Sequence, residues 1–229
     1  IRIDQVHYCE LEAILADKRK RKSFMSRNAD PEDPSRTRLR LLCRTLRNDK
    51  AGVALRVQYL KIPYMTRETS KSDLARTISI LPNLRYVDLP GGVFKDEASC
   101  ENLKLEIQAR CPELRKMSYL RGAERSLERL IDGNIWRSLE VLELSKLNCD
   151  SALLRHALAC LPRLRALKVS DINTFNDKVL SQNEVLPPVP ALAELILEST
   201  PFLTADGLIS YLSHQHAQKN LKSLSLTVT

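Results

Sequence analysis

The sequence predicts an α/β fold, a right-handed curved solenoid with parallel strands on its concave face and helices on its convex face. Three observations predict it. First, one six-residue phrase returns seven times: an apolar residue, two variable ones, an apolar, one variable, an apolar. The instances are Val57-Leu60-Ile62, Leu84-Val87-Leu89, Leu114-Met117-Tyr119, Leu139-Leu142-Leu144, Leu164-Leu167-Val169, Leu192-Leu195-Leu197 and Leu221-Leu224-Leu226. Second, their first positions are separated by 27, 30, 25, 25, 28 and 29 residues. Third, the residue three before each phrase is apolar at Ala54, Leu81, Cys111, Trp136, Leu161 and Val189, with Gln218 the exception. Proline often lies between, as in Leu81-Pro82-Asn83-Leu84 and Leu161-Pro162-Arg163-Leu164. A proline there ends a helix and sets an extended lead-in to a strand.

A period of 20–29 residues bearing L-x-x-L-x-L is the signature of a leucine-rich repeat. The architecture that follows is ribonuclease-inhibitor-like, with about seven repeats over residues 36–229. Residues 1–35 are expected to form a short strand (Ile1 to Asp4), a helix to about Lys22 that ends in a basic run, and a polar, flexible, proline-punctuated connection from Asn28 to Ser35. Leu39, Leu42, Cys43 and Leu46 then line one helix face. Ser72-Asp73 is expected to open a helix running to Leu81, and residues 96–110 another, with Cys100, Leu103 and Ile107 inward. Ser126 to Ile135 gives a shorter one. Asp150 and Thr204 have the side chains of helix N-caps, while Pro187-Pro188-Val189-Pro190 is a rigid lead-in to the sixth phrase. Trp136 and Tyr119 stand at apolar positions of the repeat and are expected in the core.

Apolar residues at 43% and charged ones at 28% fit a globular chain. No run of 18 apolar residues and no signal pattern is present, so no membrane is expected and the location implied is nuclear, cytoplasmic or both. The chain begins without methionine and ends just past its last phrase. The expectation is a piece of a longer protein, or ends covered by partners, since solenoids normally carry polar-faced caps. The net charge of +8 is concentrated near the N-terminus, above all at Lys18, Arg19, Lys20, Arg21 and Lys22. That run reads either as a nuclear localisation signal or anion patch, or as a solvated helix end.

Six cysteines and four histidines show no metal-ligand spacing. Cys111 and Cys160 fall at or beside the helix-to-strand turn and are expected as buried, small apolar groups. No nucleophile elbow or phosphate loop exists; Gly91-Gly92 reads as a turn after a strand. Neither catalysis, nor a metal, nor a cofactor is expected.

In a strand the variable letters alternate with the apolar ones and face outward. One column reads Tyr59, Tyr86, Lys116, Val141, Ala166, Glu194, Ser223, and the other Lys61, Asp88, Ser118, Glu143, Lys168, Ile196, Ser225. The candidate protein-binding residues are Tyr59, Lys61, Tyr86, Asp88, Lys116, Glu143, Lys168 and Glu194. Neighbouring tyrosines anchor interfaces well, or pack against an adjoining loop. The mixed charge favours a protein over a nucleic acid, which wants one sign along its track. A nucleic-acid-binding solenoid and a scaffold subunit are the alternatives.

Cys111-Pro112-Glu113-Leu114-Arg115-Lys116-Met117 and Cys160-Leu161-Pro162-Arg163-Leu164-Arg165-Ala166-Leu167 resemble the cysteine-containing repeats of F-box proteins. Ile1-Arg2-Ile3, Arg38 to Leu46 and Val57 to Pro63 are similar to filamentous-fungal members of that group. In such proteins an F-box precedes the repeats and docks on the adaptor of a cullin ubiquitin ligase, while the repeats hold the substrate. No F-box helices are visible here. The resemblance therefore implies that this chain holds a ubiquitination substrate or other protein on its concave face, with the adaptor reached through an F-box outside it.

Overall fold

An apolar letter can be buried in this pattern only if a neighbouring unit covers it, and the structure is organised around that requirement. A computed structural model of the chain describes residues 1–4, 34–62, 69–89, 95–133, 135–181 and 187–227. The helix expected after Asp4, the Lys18–Lys22 run, most of the Asn28–Ser35 connection and Gly91-Gly92 lie outside the described residues.

The chain divides into two compact units. The first, Ile1–Pro90 with Asn102–Cys111, holds strands β1 (Arg2–Asp4), β2 (Tyr59–Lys61) and β3 (Tyr86–Asp88), and helices α1 (Pro34–Arg47), α2 (Val53–Arg56) and α3 (Thr69–Ile78). Helix α4 (Ala98–Arg110) crosses the division. The second unit holds β4 (Lys116–Leu120), α5 (Glu124–Gly133), β5 (Val141–Ser145), α6 (Ser151–Ala159), β6 (Ala166–Ser170), α7 (Asp177–Leu180), β7 (Glu194–Glu198), α8 (Ala205–Leu212), α9 (Gln215–Asn220) and β8 (Ser223–Thr227). Within each unit consecutive strands pair in parallel, in sequence order. The fold is thus parallel α/β, with helices supplying the crossovers that parallel pairing requires.

Register places each phrase on the next. Leu142 stands opposite Met117 and Leu167, and Leu195 opposite Leu167 and Leu224. The lead-ins to β3, β5, β6, β7 and β8 are fixed by one repeated device. A single carbonyl (Gln58, Arg115, Glu140, Arg165 or Ala193) accepts the amides of two successive residues in the following rung. The phrase letters of the central rungs, such as Leu139, Leu142 and Leu144, are at most 1% exposed. The same letters in β8, Leu224 and Leu226, are 37% and 52% exposed. Stacking, rather than the unit itself, buries them. Each buried leucine contributes roughly 1.5–3 kcal/mol on the usual area scale.

The helices follow the apolar spacing with shifted bounds: the one expected over Ser126 to Ile135 runs Glu124–Gly133 instead. Asp73 does not open its helix. It sits 5% exposed in the middle of α3, receiving Arg40 and Arg76, and the helix begins at Thr69. The helix stops at Ile78 because Leu81 precedes Pro82, which disfavours helical backbone there. Cys160 is exposed, contrary to expectation, because Leu161 takes the inward position and Cys160, one residue earlier at the end of α6, turns outward. Cys111 is fully buried, and burial, reinforced by Glu106, pushes its thiol up to about 12. Trp136 is buried at a left-handed φ of 55°, a strain offset by the packing of its ring. Lys146, Asp171 and Ser199 also have left-handed φ, at 55°, 53° and 51°, each directly after a strand. Their amides donate to Ser170, Glu198 and Thr227, so one sharp exit is repeated three times.

Acidic side chains staple successive repeats. Asp96 accepts the Arg125 amide at 2.8 Å and the Ser126 hydroxyl at 2.6 Å, at the start of α5. Glu124 accepts the Asn148 amide. Asp177 accepts both the amide and the hydroxyl of Thr204, each at 2.8 Å. Thr204 in turn accepts the Gly207 amide and caps α8, as Asp150 caps α6. Arg155, 1% exposed, donates to the carbonyls of Val179, Ser181 and Pro187, tying the end of α7 to the proline-rich lead-in to β7.

Gly207 has no room for a side chain. A Cβ there would overlap the Asp177 carboxylate and approach the Asp177 Cβ to 2.8 Å. Gly207→Ala should therefore lower stability by about 1–3 kcal/mol in urea unfolding. Added to Asp177→Ala, the same change should cost clearly less, and equal costs in both backgrounds would contradict the staple.

Candidate functional site

Alternation along each strand leaves the variable letters on the sheet face opposite the core. The register lines them up across the strands. In the first unit Tyr59 stands beside Tyr86, and Lys61 beside Asp88. In the second, one row runs Lys116, Val141, Ala166, Glu194, Ser223 and the next runs Ser118, Glu143, Lys168, Ile196, Ser225. A third row, Leu120, Ser145, Ser170, Glu198, Thr227, lies one alternation beyond the phrase.

The tyrosine rings are 6.3 Å apart between centroids and tilted by 40°, within the range of a favourable aromatic pair. Both are half-buried. The Arg2 guanidinium lies 4.5 Å from the Tyr59 centroid, a cation–π contact brought in by the pairing of β1 with β2. Lys61 Nζ meets the Asp88 carboxylate at 3.3 Å.

The second unit neutralises its own charges by one motif used twice. Lys116 Nζ reaches Glu143 at 2.7 Å, and Ser118 Oγ donates to the same carboxylate at 2.6 Å. Lys168 Nζ reaches Glu198 at 2.8 Å, and Ser170 Oγ donates to it at 2.8 Å. In both cases Lys-x-Ser on one strand holds a glutamate on the next. Glu140 likewise accepts Arg115 at 3.2 Å and Arg165 at 2.6 Å. Lys168 thus pairs with Glu198. Glu194 is exposed and makes no ion pair among the described residues.

These pairs are partly solvated, so each adds little to stability. Their larger effect is on the sign of the surface, since every lysine in the candidate rows has a carboxylate. Burial alone would raise the Glu143 pKa. The hydrogen bonds from Lys116 and Ser118, with the charges of Lys116 and Lys168, more than offset it and hold the carboxyl below the ordinary 4.5. Lys168 and Ser170 hold Glu198 down in the same way.

Elsewhere the described residues offer little reactive chemistry. No group of three His, Cys, Asp or Glu among them stands close enough for a metal ion. Cys149 is buried, and burial with the charges of Glu124 and Asp150 pushes its thiol up to about 11. Such thiols are poor nucleophiles. An open recess of about 520 Å³ lies beside Leu197, Pro201, Leu203, Leu208 and Leu226. Among the described residues no helix is long and apolar enough to cross a membrane.

Glu143 has a depressed pKa, so its contribution is present above 4.5 and is lost as pH falls through the native value. Wild type should exceed Glu143→Gln in stability by up to about 1 kcal/mol at neutral pH. The gap should close on acidification below 4.5. Urea midpoints across pH test this, and a gap that does not change with pH would rule the pairing out. Comparison with protein-family models, curated proteins and solved structures gives no match for this chain.

Proposed function

We propose that this chain is a leucine-rich-repeat module that binds a protein partner on its strand face and does not itself catalyse a reaction. Its role is then the substrate-recognition repeat region of an F-box-type ubiquitin-ligase subunit. The observation that carries the reading is the Tyr59–Tyr86 pair on the sheet face, backed by Arg2. Tyrosines offer large, rigid, amphipathic area and are enriched among the residues that dominate binding energy. Around them the face presents ion pairs that already satisfy each other, which suits a protein ligand better than a polyanion. The repeat phrase supports the family, and the F-box assignment rests on the resemblance of the Cys111–Met117 and Cys160–Leu167 segments. Lys18–Lys22, the candidate localisation signal or anion patch, contributes nothing to this reading.

Affinity purification of the full-length protein, with identification of the chains that accompany it, tests both levels. Recovery of a cullin and its adaptor, together with a further protein that is lost on Tyr59→Ala/Tyr86→Ala, is the expected result. That double change should weaken capture at least tenfold, the effect of about 1.4 kcal/mol, without moving the unfolding midpoint of the second unit. Undiminished capture removes the tyrosine anchor, and absence of cullin and adaptor removes the ligase role.

A further inference from the structure

Helix α1 carries five arginines and no acidic residue. Arg40, Arg44 and Arg47 recur at helical spacing and form a stripe along one face over roughly 10 Å. Helix α3 packs beside it and contributes Arg76 and Asp73. Together with Cys43 and Asn48 these side chains wall a cleft of about 420 Å³. Asp73 Oδ2 accepts Arg40 Nε at 3.1 Å, and its Oδ1 lies 3.9 Å from Arg76 Nη1. One nearly buried carboxylate thus orients two guanidinium groups at the cleft. Arg44 and Arg47 are exposed and have no carboxylate partner among the described residues. Among the described residues of the cleft, four cations face one anion.

Part of this has an ordinary explanation. Arginines in the last turn of a helix complement its carbonyl end, and Arg44 and Arg47 are in that turn. The same explanation covers Arg76, in the last turn of α3, and Arg40 is held by Asp73. Neither accounts for the concavity that the four arginines share. Like charges four residues apart on a helix also repel, so the stripe is arranged at a cost that a bound anion would relieve.

We propose that the cleft between α1 and α3 binds a phosphorylated, acidic peptide segment of a partner protein, with the phosphate monoester held by Arg44 and Arg47. Guanidinium forks match phosphate oxygens bidentately, and arginine clusters are the usual readers of phosphorylated motifs. The stripe is as long as about three residues of extended peptide. Among the described residues no aromatic lines the cleft, which there offers none of the stacking platform that single-stranded nucleic acids use. This surface is separate from the tyrosine pair and would serve a second contact or a regulated one.

Fluorescence anisotropy with the full chain tests the proposal. The probes are a labelled peptide with one phosphoserine flanked by glutamates, its unphosphorylated twin, and a single-stranded RNA and a DNA duplex. The phosphopeptide should bind at least tenfold more tightly than its twin. Arg44→Gln/Arg47→Gln should weaken it about tenfold or more, while Arg129→Gln, an exposed arginine paired with Glu101, should leave it unchanged. Arg44→Lys/Arg47→Lys keeps the charge without the fork, should also weaken binding, and decides the matter if the glutamine variant does not fold. No phosphopeptide binding at low salt, equal binding of the twin, or equal loss in Arg129→Gln would overturn it. So would tighter binding of either oligonucleotide through the same arginines.

Discussion

Each strand–helix repeat projects more apolar surface than it can cover, so the register between successive strands is the constraint on which the other features depend. Because Leu142 sits beside Met117 and Leu167, the outward letters must also align, and side chains far apart in sequence become neighbours. A slip of one residue would turn every leucine of a strand toward solvent. At β5, β6 and β7 the paired amides at the start and the left-handed residue at the end fix that register from both sides. The acidic staples at Asp96, Glu124 and Asp177 each tie the start of one helix to the start, or the lead-in, of the next.

The same alignment makes the face electrostatically quiet. Lys-x-Ser on β4 and again on β6 grips a glutamate on the following strand. What remains distinctive is aromatic area at Tyr59 and Tyr86, and the exposed Arg44 and Arg47 of α1, which have no carboxylate partner among the described residues. The two surfaces differ in chemistry, one aromatic and one cationic.

The apolar letters were legible because burial on one face leaves a period in the sequence. The rows containing Tyr59, Tyr86, Lys116 and Glu143 follow from the same period. Asp150 and Thr204 were recognisable as caps because capping is local. Features that depend on the neighbouring repeat were not legible. Lys168 selects Glu198, on the third row, because the serine two residues along supplies a second donor there. Asp73 has the side chain of a cap but is buried between arginines, one of them more than thirty residues away. Cys160 differs from Cys111 by a single position relative to the leucine that turns inward. The left-handed backbone at Lys146, Asp171 and Ser199 carries no glycine to announce it. Arg155 is buried although arginine rarely is, since three carbonyls converge on it.

If stacking rather than intrinsic propensity holds the strands, protection must depend on having a neighbour on each side. Hydrogen exchange of the strand amides measures this most directly. The account predicts that β5 and β6 exchange slowest in the second unit and that β8, with Leu224 and Leu226 exposed, exchanges far faster. Equal protection of β8 and β6 would contradict it.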